Sequence, residues 1–248
     1  MKENYKSINC IMVALLLISM LVIAKEAAEY VSSREAQGLQ YDLVVIDAGH
    51  GADDAGKVGI NNALEKDINL SVALRVKELL EAQDIRVVMT REDDRGLYPK
   101  SGEDRKQKDM QNRVELINKE RAALTVSIHQ NSYTDESVSG AQTFYFTGSE
   151  EGKRAAEIMQ DQLVKTLDPD NHRLAKENGS YYLLKNVTGP IVIAECGFLS
   201  NRKEAELLCD KEYQDKVAWA IHLGVLRYMN TVEQKGTEGT YEMDQNSD

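Results

Sequence analysis

The feature that most constrains the fold is an alternation of short β-branched runs with longer amphipathic segments. A continuous aliphatic run at 43–46 predicts a strand that is buried on both faces. The segment 66–82 follows it, and its aliphatic residues recur every three or four positions, as on one face of a helix. A strand at 85–90, a helix at 108–120 and a strand at 124–128 continue the order. This β-α-β-α-β succession predicts an α/β fold with a mostly parallel, twisted central sheet flanked by helices on both faces.

Further elements complete the predicted domain. They are an extended segment at 141–146, a helix at 151–167, strands at 181–184 and 191–194, and an amphipathic helix at 211–230. The charged segment 92–107, which contains glycine and proline, is predicted as a long exposed loop. No internal repeat is visible, so we expect a single folded domain over residues 41–230.

The N-terminal segment has the features of an export signal. Lys2 and Lys6 precede an apolar run at 10–24, which is long for a core helix and short for a full membrane span. We interpret residues 1–25 as a signal peptide or an uncleaved signal anchor and 26–40 as a linker; the alternative is a buried helix of the main domain. The protein is therefore expected to be exported, either secreted or anchored at the cell wall. Membrane contact is expected through this segment alone.

Charge and cysteine content exclude several classes of protein. The formal net charge is −11, and nucleic-acid binding needs a basic surface, so no nucleic-acid partner is expected. Residues 231–248 are acidic with few apolar side chains and are predicted as a flexible tail. Cys10, Cys196 and Cys209 form no CxxC pair, so neither a disulfide framework nor a cysteine-ligated zinc site is expected.

Polar side chains follow three of the predicted strands at their carboxyl ends. Asp47 and His50 come after the first strand, His129 after the third, and Glu195 after the last. Ligands of open parallel sheets gather beyond these ends, so the side chains are expected to meet at one rim of the sheet. Glu65 directly precedes the first helix and is expected in a loop near the same rim.

Two imidazoles and one carboxylate form a common ligand set of catalytic zinc. His50, Glu65 and His129 are therefore predicted to bind Zn²⁺, which lowers the pKa of water and polarises a carbonyl group. Glu195 follows an apolar strand, where partial burial would raise its pKa, and it is predicted as the general base and acid. Taken singly, these residues have ordinary alternatives: a solvated loop histidine, a glutamate at a helix N-terminus, or an ion-paired glutamate. Their convergence on one rim favours metal-assisted amide hydrolysis.

Two other signals in this region are weaker. Gly49, Gly51 and Gly56 suggest a phosphate-binding loop, but the third glycine of that motif falls on Asp54 and no Gly-Lys-Ser/Thr follows. Cys196, which follows Glu195, is a candidate nucleophile. A packing role is favoured for it, because no base remains once both rim histidines bind metal.

Five segments identify a resemblance to a known family. They read DAGHGADDAG at 47–56, EKDINL at 65–70, TREDD at 90–94, SIHQNS at 127–132 and AECGFLSN at 194–201. In this order and spacing they resemble the zinc-dependent N-acetylmuramoyl-L-alanine amidases of the amidase-3 type, over about residues 41–228. The resemblance implies an α/β fold, with His50, Glu65 and His129 as zinc ligands and Glu195 as the catalytic glutamate.

The resemblance also implies a substrate and a setting. The reaction would cleave the amide between the lactyl group of muramic acid and L-alanine of the peptidoglycan stem peptide. The single-domain layout is similar to that of the sporulation-specific amidases of spore-forming Firmicutes, which help to form muramic-δ-lactam in the spore cortex. Such an enzyme would work in the space between the spore membranes, and the need for a protein activator is left open. Ala52, Lys57 and Gln130 depart from the common family pattern, and none is a predicted ligand.

Two rival functions remain at this point. A zinc carboxypeptidase would use similar ligands and would grip a free carboxylate, for which Arg173 is a candidate. A non-catalytic peptidoglycan-binding module could share the fold, although it would have little need of Glu195. His172 is expected in a solvated loop, where it could also contact an anionic group, and His222 is expected to pack on the last helix.

Overall fold

The computed structural model describes residues 12–13, 16–22, 24–25, 40–98 and 104–245. Most of the predicted export segment and linker lies outside the described residues. Within the part of the chain that is described, no helix combines the length and the apolar character needed to cross a membrane. The stretch Gln40–Gln234 forms one compact unit, and this unit carries the sheet and the candidate site.

Strands and helices alternate along this unit. The strands are β1 (Gln40–Ala48), β2 (Arg86–Met89), β3 (Ala122–Asn131), β4 (Gln142–Tyr145), β5 (Lys176–Glu177) and β6 (Ile191–Phe198). The helices are α1 (Glu65–Glu81), α2 (Arg105–Glu120), α3 (Glu150–Leu167), α4 (Tyr182–Asn186), α5 (Arg202–Cys209) and α6 (Lys211–Gln245).

The six strands form one mixed sheet in the order β2-β1-β3-β6-β4-β5. The pairs β1–β2, β1–β3, β3–β6 and β4–β5 are parallel, and only β4–β6 is antiparallel. The carboxyl ends of β1, β3 and β6 therefore lie side by side at one rim, as the sequence predicts. The mostly parallel α/β fold is confirmed.

Side chains of β1 alternate between two hydrophobic clusters, one on each face of the sheet. Val44 and Ile46 pack in a large cluster with residues of α1, α3, α5 and α6. Leu43 and Val45 face the smaller cluster, which includes residues of α2 and α4. Helices thus cover both faces, which is why the segment 43–46 of β1 reads as a continuous apolar run.

Several predicted boundaries differ from the structure. Residues 181–184 are predicted as a strand, but Tyr182–Asn186 is a short helix. The side chain of Asn178 accepts hydrogen bonds from the backbone N–H groups of Ser180 and Tyr181, which turns the chain just before this helix. Four apolar residues carry no periodicity that separates a strand from one helical turn.

The ends of two other helices are also wrong in the sequence prediction. Helix α2 starts at Arg105, inside the predicted loop 92–107, of which residues 99–103 lie outside the described part. Helix α6 continues to Gln245, through most of the segment 231–248 that is predicted as a flexible tail. The stretch from Lys211 to Gln245 contains no proline, the residue that breaks a helix most strongly.

Candidate metal centre

His50 stands at the start of the loop that joins β1 to α1. Its φ of 62° lies in the left-handed region, which is uncommon for a residue with a side chain. Nδ1 of His50 lies 2.9 Å from Oδ2 of Asp54, and Arg113 donates a hydrogen bond of 2.6 Å from Nη2 to the backbone oxygen of His50. These contacts fix the ring so that Nε2 faces Glu65, with 3.1 Å between Nε2 and Oε1.

Glu65 is the first residue of α1 rather than a loop residue, and its side chain is buried. The backbone N–H of Lys57 donates to Oε2 at 2.7 Å, and that of Gln130 donates to Oε1 at 3.1 Å. Burial favours a raised pKa, but hydrogen bonds and charge from His129 and His50 outweigh it and hold the pKa of the Glu65 carboxyl far below its usual range. The carboxylate therefore stays ionised, as a metal ligand must be.

His129 completes the group. It lies on β3, two residues before the strand ends, and Nδ1 is 2.9 Å from Oε1 of Glu65. The rings of His50 and His129 meet edge to face, with centroids 4.9 Å apart. One ligand atom from each of His50, Glu65 and His129 lies within 4.8 Å of the others.

This donor set fits a metal ion. Two ligand atoms, each about 2.0 Å from a tetrahedral zinc ion, are separated by about 3.3 Å. The nitrogen–oxygen distances of 3.1 and 2.9 Å at Glu65 are close to that separation. Two imidazoles and one carboxylate also leave a fourth position for water or substrate, which is typical of catalytic rather than structural zinc.

Glu195 lies on β6, where it is the register partner of His129. It is 8% exposed, and Oε2 has no hydrogen-bond partner among the described residues. Burial, with a smaller contribution from the charge of Glu65, raises the pKa of the Glu195 carboxyl to about 7. A carboxyl group of this kind exchanges a proton readily near neutral pH, which suits general acid–base chemistry.

Two glycines allow the ligands to approach one another. A Cβ atom on Gly49 would lie 2.4 Å from Cε1 and Nε2 of the His129 ring. A Cβ atom on Gly56, whose φ is 69°, would lie 2.6 Å from Oε2 of Glu65 and 2.7 Å from Cδ2 of His50. Both distances are too short for any side chain, so glycine is required at each position.

A buried ion pair supports the loop from below. Arg113 of α2 binds Asp47 with 2.6 Å between Nη1 and Oδ1, and both side chains are buried. Ser127 and Thr90 also donate hydrogen bonds to the Asp47 carboxylate, at 2.5 and 2.7 Å. Burial opposes ionisation, but Arg113 and the hydroxyl of Ser127 lower the pKa of Asp47 to about 2. Asp47 is thus ionised at neutral pH and anchors β1 through this ion pair.

A cavity of about 730 Å³ opens over these residues, and Glu65, His129 and Glu195 are part of its wall. Its lining combines cationic with aromatic and apolar side chains: Arg105, Lys106, Tyr181, Leu183 and Ile193. The volume lies within the usual range of ligand-binding pockets.

The structure places the predicted site residues slightly differently from the sequence prediction. Asp47 and His129 are not past the strand ends but within the last three residues of β1 and β3, and Glu195 lies inside β6, three residues before its end. Only His50 follows its strand. The four candidate site residues are nevertheless brought together at one cavity, because the three strands are neighbours in the sheet.

The weaker candidates find other roles. The thiol of Cys196 is buried, and burial raises its pKa well above the ordinary range, which disfavours a nucleophile. Arg173 donates to the backbone oxygen of Ser139 at 2.7 Å and stacks over the ring of Phe198, so its guanidinium has a structural role. His172 is exposed, whereas His222 is buried and packs beside Trp219.

Sequence reasoning missed the residues that orient the ligands. In the sequence, Asp54 stands out only as a mismatch in a glycine motif, although it lies four residues after His50 and holds its ring. Arg91 and Arg113 carry no predicted role, and both donate to backbone carbonyls of the β1–α1 loop. The only sequence signal for them is that Arg91 belongs to the TREDD segment.

Comparison with known proteins agrees with this geometry. A family model described as N-acetylmuramoyl-L-alanine amidase matches residues 44–227. The germination-specific N-acetylmuramoyl-L-alanine amidase of Bacillus subtilis is 44% identical over 75% of this chain and 79% of the relative. The amidase LytC of the same organism is 33% identical over 75% of this chain but only 35% of its own length.

Solved structures give the same result. The CwlD amidase from Clostridioides difficile, solved in complex with the GerS lipoprotein, is 39% identical with a TM-score of 0.74; the match covers 76% of this chain and 98% of that one. The amidase AmiC2 of Nostoc punctiforme is 30% identical with a TM-score of 0.67, covering 77% and 99%. Because the family match spans most of the chain, the protein belongs to the amidase-3 family of N-acetylmuramoyl-L-alanine amidases.

Proposed function

We propose that this protein is a zinc-dependent N-acetylmuramoyl-L-alanine amidase in which His50, Glu65 and His129 hold the metal and Glu195 transfers the proton. The observation that carries the proposal is the pairing of two features in one cavity. Three atoms that could bind a metal ion lie within 4.8 Å of one another, and the buried carboxyl group of Glu195 stands beside them with one oxygen that has no hydrogen-bond partner among the described residues.

A zinc ion held by these residues supplies a Lewis acid that polarises the amide carbonyl and makes water a better nucleophile. Zinc is favoured over magnesium or calcium because two of the three donors are imidazole nitrogens, whereas those hard cations prefer oxygen ligands. The ionised Glu65 offsets one unit of the metal charge. Asp54 holds Nδ1 of His50 and so leaves Nε2 free to bind.

Glu195 performs the proton transfers. Its carboxylate accepts a proton from the attacking water while the new carbon–oxygen bond forms. It then donates that proton to the nitrogen of L-alanine, so that the amine leaves as the carbon–nitrogen bond breaks. A pKa of about 7 allows both steps, because the two protonation states are then close in free energy at neutral pH.

The relatives suggest the biological setting. A germination-specific amidase of B. subtilis and a C. difficile amidase that was solved with a lipoprotein are both similar to this chain. On that basis we place the enzyme outside the cytoplasm, at spore-cortex peptidoglycan, where release of the stem peptide precedes formation of muramic-δ-lactam. A protein partner at the membrane surface is part of this proposal.

Digestion of purified peptidoglycan tests the reaction. Wild-type protein with one equivalent of zinc is expected to release stem peptides that begin with a free L-alanine amine, together with glycan chains that carry free lactyl groups. Mass spectrometry of the products identifies both. Release of single terminal amino acids from free peptides would indicate a carboxypeptidase, and sedimentation with the wall without any release would indicate a binding module.

A further inference from the structure

Arg91 is a buried cation that the reaction proposed above does not use. It follows β2, is 5% exposed, and all four of its recorded hydrogen bonds end on backbone carbonyl oxygens. A buried guanidinium is costly to desolvate, so contacts of this kind call for an explanation.

The position of these carbonyls is informative. Nη2 of Arg91 donates to the oxygen of Gly49 at 3.0 Å and to the oxygen of Lys66 at 2.7 Å. Gly49 directly precedes His50, and Lys66 directly follows Glu65. A single nitrogen thus ties together the two ends of the β1–α1 loop, next to one proposed metal ligand at each end.

Arg91 is linked to His129, the third proposed ligand, through Gly49. The backbone N–H of Gly49 donates to the oxygen of Ile128 at 3.1 Å, and the glycine packs against the ring of His129 with no room for a Cβ atom. Nε of Arg91 also donates to the oxygen of Ala48 at 2.9 Å. The peptide that Arg91 holds is therefore in contact with both histidines.

A second contact closes the same loop from its other side. Nζ of Lys66 donates to Oδ2 of Asp94 at 2.7 Å and to the oxygen of Ala52 at 2.8 Å. The N–H of Ala52 in turn donates to Oδ1 of Asp94 at 2.7 Å. We call Arg91 together with the Lys66–Asp94 pair the loop clamp.

We propose that the loop clamp is a positioning device which sets the spacing of His50 and Glu65 before metal binds, so that zinc affinity depends on Arg91 although it is not a ligand. The long loop between these ligands would otherwise sample many separations, and metal binding would have to order it. Arginine is required because its planar fork reaches several carbonyls in fixed directions, which a lysine ammonium cannot do. The inference rests on the proposed metal site.

The test compares Arg91→Lys with Arg86→Lys in the full-length chain. Arg86 is the first residue of β2, the strand that Arg91 follows, but its side chain is exposed and pairs with Asp42, so it is a matched control. Zinc dissociation constants are measured by competition with a chromophoric chelator, and the stability of the metal-free proteins is measured by urea unfolding. Arg91→Lys is expected to bind zinc about ten- to a hundred-fold more weakly, and Arg86→Lys within about twofold of wild type.

A purely structural role would appear as lower stability of metal-free Arg91→Lys with an unchanged zinc dissociation constant, and this result would overturn the inference. If Arg91→Lys does not fold, the Asp94→Asn variant tests the inference instead. Asp94 is half exposed, and its substitution loosens only its contacts with Lys66 and Ala52. It is expected to weaken zinc binding severalfold, and wild-type affinity in this variant would reject the clamp. Failure of wild-type protein to bind zinc would instead refute the proposed function and the inference with it.

Discussion

Replacement of Gly49 by alanine is the sharpest structural test of how closely the site is packed. The new Cβ atom would stand 2.4 Å from Cε1 and Nε2 of His129, whereas carbon atoms in ordinary contact are about 3.5 Å apart. The ring must therefore move by about 1 Å. Ligand positions tolerate only about 0.2 Å before coordination weakens, so His129 should be displaced as a ligand. We expect zinc binding to weaken by more than tenfold, and overpacking to cost the metal-free protein about 1–3 kcal/mol.

Isothermal titration or chelator competition measures the zinc affinity, and urea unfolding of the metal-free protein measures the steric cost. Gly179→Ala is the matched control, because a Cβ atom there would lie 3.5 Å from Oγ1 of Thr147, an ordinary contact. This control should bind zinc like the wild type. Wild-type zinc affinity in Gly49→Ala would refute the reasoning, since it would show either that the loop yields without cost or that His129 is not a ligand.

Two further predictions concern the residues that support the site. Because the pKa of Asp47 is lowered to about 2, its stabilisation is present above the pKa of an unfolded aspartate and is lost as the pH falls toward 2. The difference in unfolding free energy between wild type and Asp47→Asn, measured by urea titration, should therefore shrink by about 2–3 kcal/mol from pH 6 to pH 2. The exposed Asp84→Asn is the control. A difference that stays constant with pH would contradict the ion pair between Asp47 and Arg113. Asp54→Asn should weaken zinc binding about tenfold by releasing Nδ1 of His50, and unchanged affinity would show that Asp54 does not orient the ring.

Much of the fold follows from the periodicity of the sequence. Continuous apolar runs at 43–46 and 191–194 predict the strands β1 and β6, and these two strands lie with β3 in the centre of the sheet. The direction of β4 cannot be predicted in this way, because an isolated extended segment carries no local signal for the strand with which it pairs. The structure pairs it antiparallel to β6, with Gln142 opposite Glu195.

The sequence predicts the four candidate site residues, and the structure brings these four to one cavity. His50, His129 and Glu195 stand near the ends of neighbouring strands, so the general rule for parallel sheets brings them together. Glu65 needed the family resemblance, because its carboxylate reaches the histidines only through the path of the loop. The orienting contacts of Arg91 and Arg113 join residues 42 and 63 positions apart, and no local pattern in a single sequence encodes them.

The central claim is that three residues bind the metal and a fourth, separate residue transfers the proton. Glu195→Ala tests it most directly, with zinc content and peptidoglycan hydrolysis measured on the same preparation. We expect one zinc per chain, as in the wild type, and hydrolysis lowered by about 10²- to 10⁴-fold. Wild-type hydrolysis by this variant, or loss of its zinc, would contradict the division of roles between Glu195 and the set of His50, Glu65 and His129.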